Sequence, residues 1–125
     1  MLGSRALAEV INVARIEGYR FGRVVVDGAE QTKDVIILPE RVVTNWWRQD
    51  GHALVLADLD DVLEELPDRL VVGTGADGRM QPDPECVQRL RERGIVVEVL
   101  RTDEAVRRYG ELDANRTAAA LHLTC

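Results

Sequence analysis

The sequence predicts a single α/β domain built around a largely parallel β-sheet. Its 125 residues suit one domain, because compact domains cluster near this length. From residue 58 onward, predicted helices alternate with short, nearly continuous apolar strands, a pattern typical of strands buried on both faces. The chain contains no repeat and no linker-like stretch rich in Pro, Gly or Ser. We therefore expect residues 1–125 to form one domain.

The front of the chain predicts strands. Residues 5–17 fit either a helix or a further strand, because their apolar positions match a helical face only loosely. Residues 22–26 and 34–38 are rich in Val and Ile, and the turn signal Asp27-Gly28 lies between them. We expect these two strands to form a hairpin that pairs with the edge of the main sheet or stacks on it. Residues 41–55 predict no clear element.

Helices and strands then alternate to the end of the sequence. Asp58 is expected to cap a helix that Pro67 stops, and Asp83 a second helix with Pro84 at its first position. Thr102 is expected to cap a third helix. The strands between and after the helices are residues 70–72, 95–100 and 117–123. Gly94 lies where a glycine with left-handed backbone conformation is expected to end the second helix.

Charge and composition exclude several classes of binding partner and of site. There are 22 acidic and 16 basic residues, a net charge of −6, and no basic stripe of the kind that binds nucleic acid. No apolar run approaches the roughly 18 residues of a membrane span. Two cysteines and two histidines without HxH or HExxH spacing predict neither a disulfide framework nor a metal site. We expect a cytoplasmic protein without a cofactor, and the preference for Arg over Lys suggests a GC-rich bacterium.

A glycine loop follows the strand at residues 70–72. The run Gly73-Thr74-Gly75-Ala76-Asp77-Gly78 matches the dinucleotide fingerprint letter by letter. In that fingerprint, however, the glycines lead directly into a helix that holds the pyrophosphate, whereas here the helix begins only near Pro84. Its first acids, Asp83 and Glu85, would repel an anion. The sequence thus favours a tight turn, with nucleotide binding as the alternative.

The same loop predicts a ligand crevice. If the strands at 70–72 and 95–100 are parallel neighbours, the glycine loop and Arg101-Thr102 meet at their C-terminal ends, where open α/β sheets bind ligands. Arg79 and Arg101 would supply positive charge for a small anionic ligand. The alternative is that Thr102 only caps its helix and both arginines are solvated.

Reactive groups are scarce. Cys86 lies in the first turn of the helix capped by Asp83, where it is either a thiol activated by the helix dipole or a small buried hydrophobe. His122 alternates with alanines on one strand face, and the sequence indicates no nucleophile to pair with it.

Two adjacent tryptophans stand out among few aromatics. Because neighbouring residues of a strand point to opposite faces, one of Trp46 and Trp47 should enter the core and the other face outward. An exposed tryptophan is a favoured interface anchor, although both could instead cover the open end of the sheet.

The C-terminal part of the chain resembles a known family. The runs Val97-Glu98-Val99-Leu100-Arg101-Thr102-Asp103-Glu104-Ala105-Val106-Arg107-Arg108-Tyr109 and Ala120-Leu121-His122-Leu123-Thr124-Cys125 are similar to the end of the adipogenesis-associated domain-containing proteins. The resemblance implies a three-layer α/β domain with a central mixed β-sheet, helices on the sheet and an N-terminal β-hairpin layer. The positions that match the family pattern are Gly73, Gly75, Thr102, Tyr109 and His122.

The resemblance also implies a function class. The wider superfamily includes a mitochondrial assembly factor for respiratory NADH dehydrogenase, and no catalytic activity is established for it. We expect a non-enzymatic interaction or assembly domain with an unidentified protein partner and an interface at Trp46 and Trp47. The alternative is a small-molecule-binding protein or enzyme, with Cys86 or His122 as the reactive group. Its candidate crevice residues are Gly73, Thr74, Gly75, Arg79, Arg101, Thr102, Tyr109 and His122.

Overall fold

A computed structural model describes residues 15–125 as ten strands, two α-helices and two short 3₁₀ turns. The strands are β1 (Ile16–Arg20), β2 (Arg23–Val26), β3 (Ala29–Gln31), β4 (Val35–Ile37), β5 (Val42–Val43), β6 (Ala53–Leu54), β7 (Arg69–Thr74), β8 (Gln81–Pro82), β9 (Val96–Leu100) and β10 (Thr117–His122). The helices are α1 (Pro84–Glu92) and α2 (Thr102–Glu111), and the 3₁₀ turns are Leu56–Leu59 and Leu63–Glu65.

The central sheet has five strands in the order β5-β4-β10-β7-β9. β7 lies between β10 and β9 and is parallel to both, with Leu70 opposite Ala118 on one side and Val97 on the other. β4 is antiparallel to β10, and β5 to β4, so the sheet is mixed. The predicted parallel pairing of the strands at 70–72 and 95–100 is confirmed.

Both faces of this sheet are covered, which explains the continuous apolar strands. α1 and the 3₁₀ turns pack on one face, formed by Ile36, Leu38, Leu70, Val72, Val97, Ala118 and Ala120. α2 and the sheet β1-β2-β3 pack on the other, formed by Val35, Ile37, Val71, Ala119 and Leu121. A strand buried on both sides has no polar face, so hydrophobic alternation disappears. The three-layer α/β domain is therefore the fold of this chain.

The prediction that strands 22–26 and 34–38 pair with each other as a hairpin is wrong. The turn at Asp27-Gly28 connects β2 to β3 instead, and both its residues have positive φ, as tight hairpin turns require. The antiparallel sheet β1-β2-β3 forms the hairpin layer, while β4 enters the central sheet beside β10. β4 is buried on both faces, which a strand in the outer layer would not be.

The helix predicted from Asp58 is also wrong: that segment forms only the two 3₁₀ turns. The Asp58 carboxylate accepts the amides of Val55 and Gln49, at 3.0 and 3.3 Å, both upstream of it. An N-cap must bond amides downstream. The following amides bond three residues back, such as Val62 to Leu59 O at 3.0 Å, which is the 3₁₀ pattern.

The two α-helices begin as follows. α1 follows Asp83 with Pro84 at its first position and ends before Gly94, whose φ of +85° closes the helix as predicted. Thr102, expected as a cap, is instead the first residue of α2, after Arg101. Its hydroxyl is therefore available for other bonds.

One sequence expectation falls largely outside the described residues. Of the helix or strand over residues 5–17, the structure describes only the end, where β1 begins at Ile16. Within residues 15–125, no helix has the length and apolarity needed to cross a membrane.

Candidate functional site

The strand-end edge brings the glycine loop and the start of α2 into direct contact. Thr102 Oγ1 accepts the Gly75 amide at 2.8 Å and donates to the His122 carbonyl at 2.6 Å. The Thr102 amide bonds Gly75 O at 3.2 Å, and Thr74 Oγ1 donates to Leu100 O at 3.0 Å. The hydroxyl groups of Thr74 and Thr102 and the Gly75 amide, all in the candidate crevice, are thus bonded within the protein.

Residues 123–125 fill the space beyond this edge. The Ala76 amide donates to Thr124 O at 2.6 Å, and the Arg79 amide to Cys125 O at 2.9 Å. Gly75 has a φ of +103°, and a Cβ there would lie 2.3 Å from the Cys125 carbonyl carbon. Glycine is required at this position because two backbone segments meet without room for a side chain.

Five of the eight predicted crevice residues lie together, namely Gly73, Thr74, Gly75, Thr102 and His122. Arg101 lies beside the loop, since its Cγ would be 3.4 Å from a Cβ on Gly78. The side chains of Arg79 and Arg101 are exposed. Tyr109 lies two turns further along α2, buried in the core, and this burial raises its pKa to about 12.

A buried polar cluster lies under the same end of β10. His122 Nδ1 is 2.8 Å from Asp34 Oδ2 and 3.0 Å from Arg48 Nη2. Arg48 Nη1 donates to Asp34 Oδ2 at 2.7 Å, and its Nη2 donates to Gly51 O at 3.1 Å. Asp34 Oδ1 accepts the Leu123 amide at 2.9 Å. Three distant parts of the sequence meet in this cluster.

Charge balance holds the Asp34 carboxyl in its ionised form. Burial acts to raise its pKa, but hydrogen bonds from His122, Arg48 and the Leu123 amide outweigh burial and lower the pKa below its usual value. The Asp34 carboxylate can only accept and the Arg48 guanidinium can only donate, so His122 Nδ1 bonds the carboxylate when it carries the ring proton and the guanidinium when it does not. The other ring nitrogen, Nε2, faces the Thr124 hydroxyl at 3.5 Å.

Sequence reasoning identified His122 but missed Asp34 and Arg48. Asp34 directly precedes an apolar strand and Arg48 directly follows the tryptophan pair, so a single charge beside an apolar run was the available signal. Only the fold brings together residues separated by 88 and 74 positions from His122.

Cys86 is a buried thiol. Its side chain packs in the core under α1, and burial followed by the nearby Asp83 raises its pKa to about 11. A thiol in this state is mostly protonated near neutral pH and a poor nucleophile. Within residues 15–125, no three His, Cys, Asp or Glu side chains lie close enough to hold a metal ion.

A second region, which we call the Trp47 cavity, opens on the surface beside the 3₁₀ turns. It has a volume of about 540 Å³. Val43 and the buried Trp46 contribute apolar lining, and Trp47, Asp60 and Asp61 lie at the cavity with their side chains exposed. Trp46 is 9% exposed and Trp47 76% exposed, so the tryptophans diverge as expected.

Both neighbours of Trp47 are fixed inward. Trp46 Nε1 donates to Asp58 O and its amide to Asp34 O, each at 2.8 to 2.9 Å. Arg48 is bonded to Asp34, and its guanidinium carbon lies 4.9 Å from the centroid of a Trp46 ring. Trp47 is consequently held facing outward by the backbone between two anchored residues.

Known structures share this fold. A conserved hypothetical protein from Pyrococcus horikoshii is 32% identical, with a TM-score of 0.75, and the match covers 89% of this chain and 99% of that one. A Bartonella henselae protein described as an outer membrane protein is 23% identical, with a TM-score of 0.76 and coverages of 91% and 98%. An Mth938-like domain from Bordetella pertussis is 23% identical, with a TM-score of 0.71 and coverages of 87% and 85%.

The family is shown by the sequence. The model of a family described as "Protein of unknown function (DUF498/DUF598)" matches residues 16–123, which includes every strand and helix described above. The chain therefore belongs to the DUF498/DUF598 family of proteins of unknown function.

Proposed function

We propose that this domain is a non-enzymatic protein-interaction module that docks a partner protein at the Trp47 cavity. The observation that carries the proposal is the indole of Trp47, 76% exposed and fixed at the edge of a cavity of about 540 Å³. Tryptophan is among the residues most enriched in interface hot spots. Because its neighbours already hold it outward, a partner would find it preorganised for binding.

The state of the reactive groups supports a role without catalysis. Thr102 and the Gly75 amide are bonded to each other, and His122 Nδ1 is bonded to Asp34. Burial raises the pKa of Cys86 to about 11. These groups stabilise the junction of the layers, and the residue 123–125 segment fills the strand-end edge that a substrate would need.

The resemblance to the adipogenesis-associated domain-containing proteins extends the proposal to an assembly role, because their superfamily includes a respiratory assembly factor. We place the domain in the cytoplasm of a bacterium. Two free thiols, Cys86 and Cys125, are typical of a reducing compartment.

Site-directed photo-crosslinking tests the proposal. A photoreactive residue at Gln49, which is exposed and lines the Trp47 cavity, should trap one defined protein in cells. The matched control is the same residue at Gln88, exposed on α1. The trapped protein, once purified, should bind the wild-type domain and lose at least tenfold in affinity with Trp47→Ala.

Equal trapping from both positions, or unchanged affinity with Trp47→Ala, would overturn the proposal. A thermal-shift assay tests the alternative that the domain binds a small molecule or a nucleotide. A ligand at a hundred times its Kd stabilises by about 2.7 kcal/mol, so stabilisation by NAD, NADP or ATP would favour that alternative. We expect none of the three to stabilise the domain.

A further inference from the structure

The Trp47 cavity carries a charge pattern that its proposed docking role does not by itself require. Asp58, Asp60 and Asp61 all line it, and its described lining contains no Arg, Lys or His. The cavity lining therefore combines an aromatic face with carboxylates.

Two of these three carboxylates are available to a ligand. Asp58 is occupied, because its oxygens accept the amides of Val55 and Gln49. Asp60 and Asp61 are exposed, and neither side chain has a hydrogen bond or salt bridge to any residue of 15–125. Asp61 acts only at a distance on Arg41, whose guanidinium is bonded to Glu65.

An exposed indole in the same cavity as unpaired carboxylates is most complementary to an arginine side chain. A guanidinium stacks on the face of a tryptophan and can bond carboxylates through two parallel N–H groups. The protein already shows the aromatic half of this arrangement internally, where Arg48 lies 4.9 Å from the centroid of a Trp46 ring. The net charge of −6 adds long-range attraction for a basic partner.

We infer that the Trp47 cavity recognises an arginine side chain presented by a basic segment of the partner protein. The guanidinium stacks on Trp47 and bonds Asp60 and Asp61, while Val43 and Trp46 contact the alkyl part. This inference rests on the proposed docking function and names the chemistry of its partner.

Nuclear magnetic resonance titration with short peptides tests the inference directly. The probe is a capped Gly-Gly-Arg-Gly-Gly peptide, and its control replaces Arg by citrulline, which has nearly the same shape without the charge. The arginine peptide should shift the Trp47 indole N–H signal saturably. The citrulline peptide should bind at least tenfold more weakly, and added salt should weaken only the arginine peptide.

Variants of the protein that remove charges provide a second test of the inference. Asp60→Asn with Asp61→Asn should weaken the arginine peptide at least tenfold. The matched double variant Asp77→Asn with Asp103→Asn removes the same charge from two exposed positions outside the cavity lining and should change affinity less than twofold. Equal binding of citrulline, unchanged affinity in the Asp60/Asp61 variant, or no saturable shift would overturn the inference.

The two proposals fail separately. If the crosslinked partner depends on Trp47 but binds the Asp60/Asp61 variant normally, docking stands and arginine recognition is wrong. If the peptide binds as expected and no partner protein is trapped from Gln49, the cavity recognises arginine, but its presentation by a partner protein and the docking function are wrong.

Discussion

At the scale of single residues, Trp46 and Trp47 occupy opposite environments although they are adjacent in sequence. Trp46 is buried against the central sheet with its Nε1 bonded to Asp58 O at 2.9 Å. Trp47 is exposed and has 76% of its surface accessible. The two side chains therefore contribute to different properties, one to stability and the other to the surface available for binding.

Alanine substitution should separate these contributions. Trp46→Ala should lower the free energy of unfolding by about 3–5 kcal/mol, because it leaves a cavity in the core and an unpaired carbonyl. Trp47→Ala should change it by no more than about 0.5 kcal/mol. Urea denaturation followed by circular dichroism measures both. Similar losses in the two variants would contradict the assignment.

The two cysteines should differ in reactivity for a related reason. Burial raises the pKa of Cys86 to about 11, whereas Cys125 is partly exposed. At pH 8 a thiol reagent should label one site per native chain and two in denaturant. The Cys125→Ser variant should abolish the native labelling, and rapid labelling of that variant would show that Cys86 is accessible.

At the scale of elements, two glycines, Gly73 and Gly75, allow the end of β7 to lie in close contact with β10, with α2 and with residues 123–125. A Cβ on Gly73 would lie 2.9 Å from both Leu121 Cδ2 and Thr102 Oγ1. At Gly75 the obstruction is backbone, which cannot rotate away as a side chain can. The glycine loop thus joins the strand ends to α2 and to residues 123–125.

Replacing Gly75 by Ala should therefore destabilise the protein by at least about 2 kcal/mol, through its positive φ and the clash with Cys125. Gly110→Ala is the control, since Gly110 lies in α2 with nothing within 4 Å of an added Cβ. That change should stabilise the protein by up to about 1 kcal/mol. Thermal unfolding measures both, and a neutral Gly75→Ala would show that the loop is loosely packed.

At the scale of the whole molecule, residues 123–125 and the Asp34 cluster, formed by Asp34, Arg48 and His122, connect the central sheet to the outer sheet β1-β2-β3. Asp34 directly precedes β4 and bonds Arg48, His122 and the Leu123 amide. Leu123 O accepts the Gly22 amide at 2.8 Å, which attaches the outer sheet to the end of β10. Loss of this cluster should weaken the whole fold rather than one element.

Acid unfolding provides the test. The pKa of Asp34 is lower in the folded protein than the value of about 3.9 in an unfolded chain. Its contribution is therefore complete above that value and is lost as pH falls through the folded pKa. Asp34→Asn should cost about 3 kcal/mol at pH 7 by leaving Arg48 buried without its counterion, and the difference from wild type should shrink below about pH 4.

Asp77→Asn, at an exposed position, serves as the control for charge alone. It should leave both the stability at pH 7 and the loss of stability at acid pH almost unchanged. An Asp34→Asn variant as stable as wild type at pH 7 would show that the cluster does not stabilise the fold, and an undiminished difference at pH 3 would show that the stabilisation does not come from the ionised carboxylate.

Several features were predictable because their causes are local. Pro84 after Asp83 and Gly94 mark the ends of α1 through their own backbone preferences. The apolar runs of β7 and β10 indicate burial on both faces. The opposite exposure of Trp46 and Trp47 follows from the alternation of side chains along an extended chain.

The errors arose where a local signal competed with a distant contact. Asp58 has the residue type of a helix cap, but its carboxylate bonds upstream amides of a folded loop. Thr102 likewise bonds Gly75 and His122 rather than its own helix. The sheet assignment of β4 depends on its pairing with β10, more than 80 residues away.

By itself, the amino-acid sequence determined the α/β class and the parallel strands, since periodicity and backbone preference act over a few residues. Only the tertiary structure decided that the glycine loop is closed by residues 123–125, that Asp34, Arg48 and His122 form one cluster, and that Asp60 and Asp61 line the same cavity as Trp47. Those features depend on which segments the folded core brings within hydrogen-bonding distance, and no short stretch of chain encodes that distance.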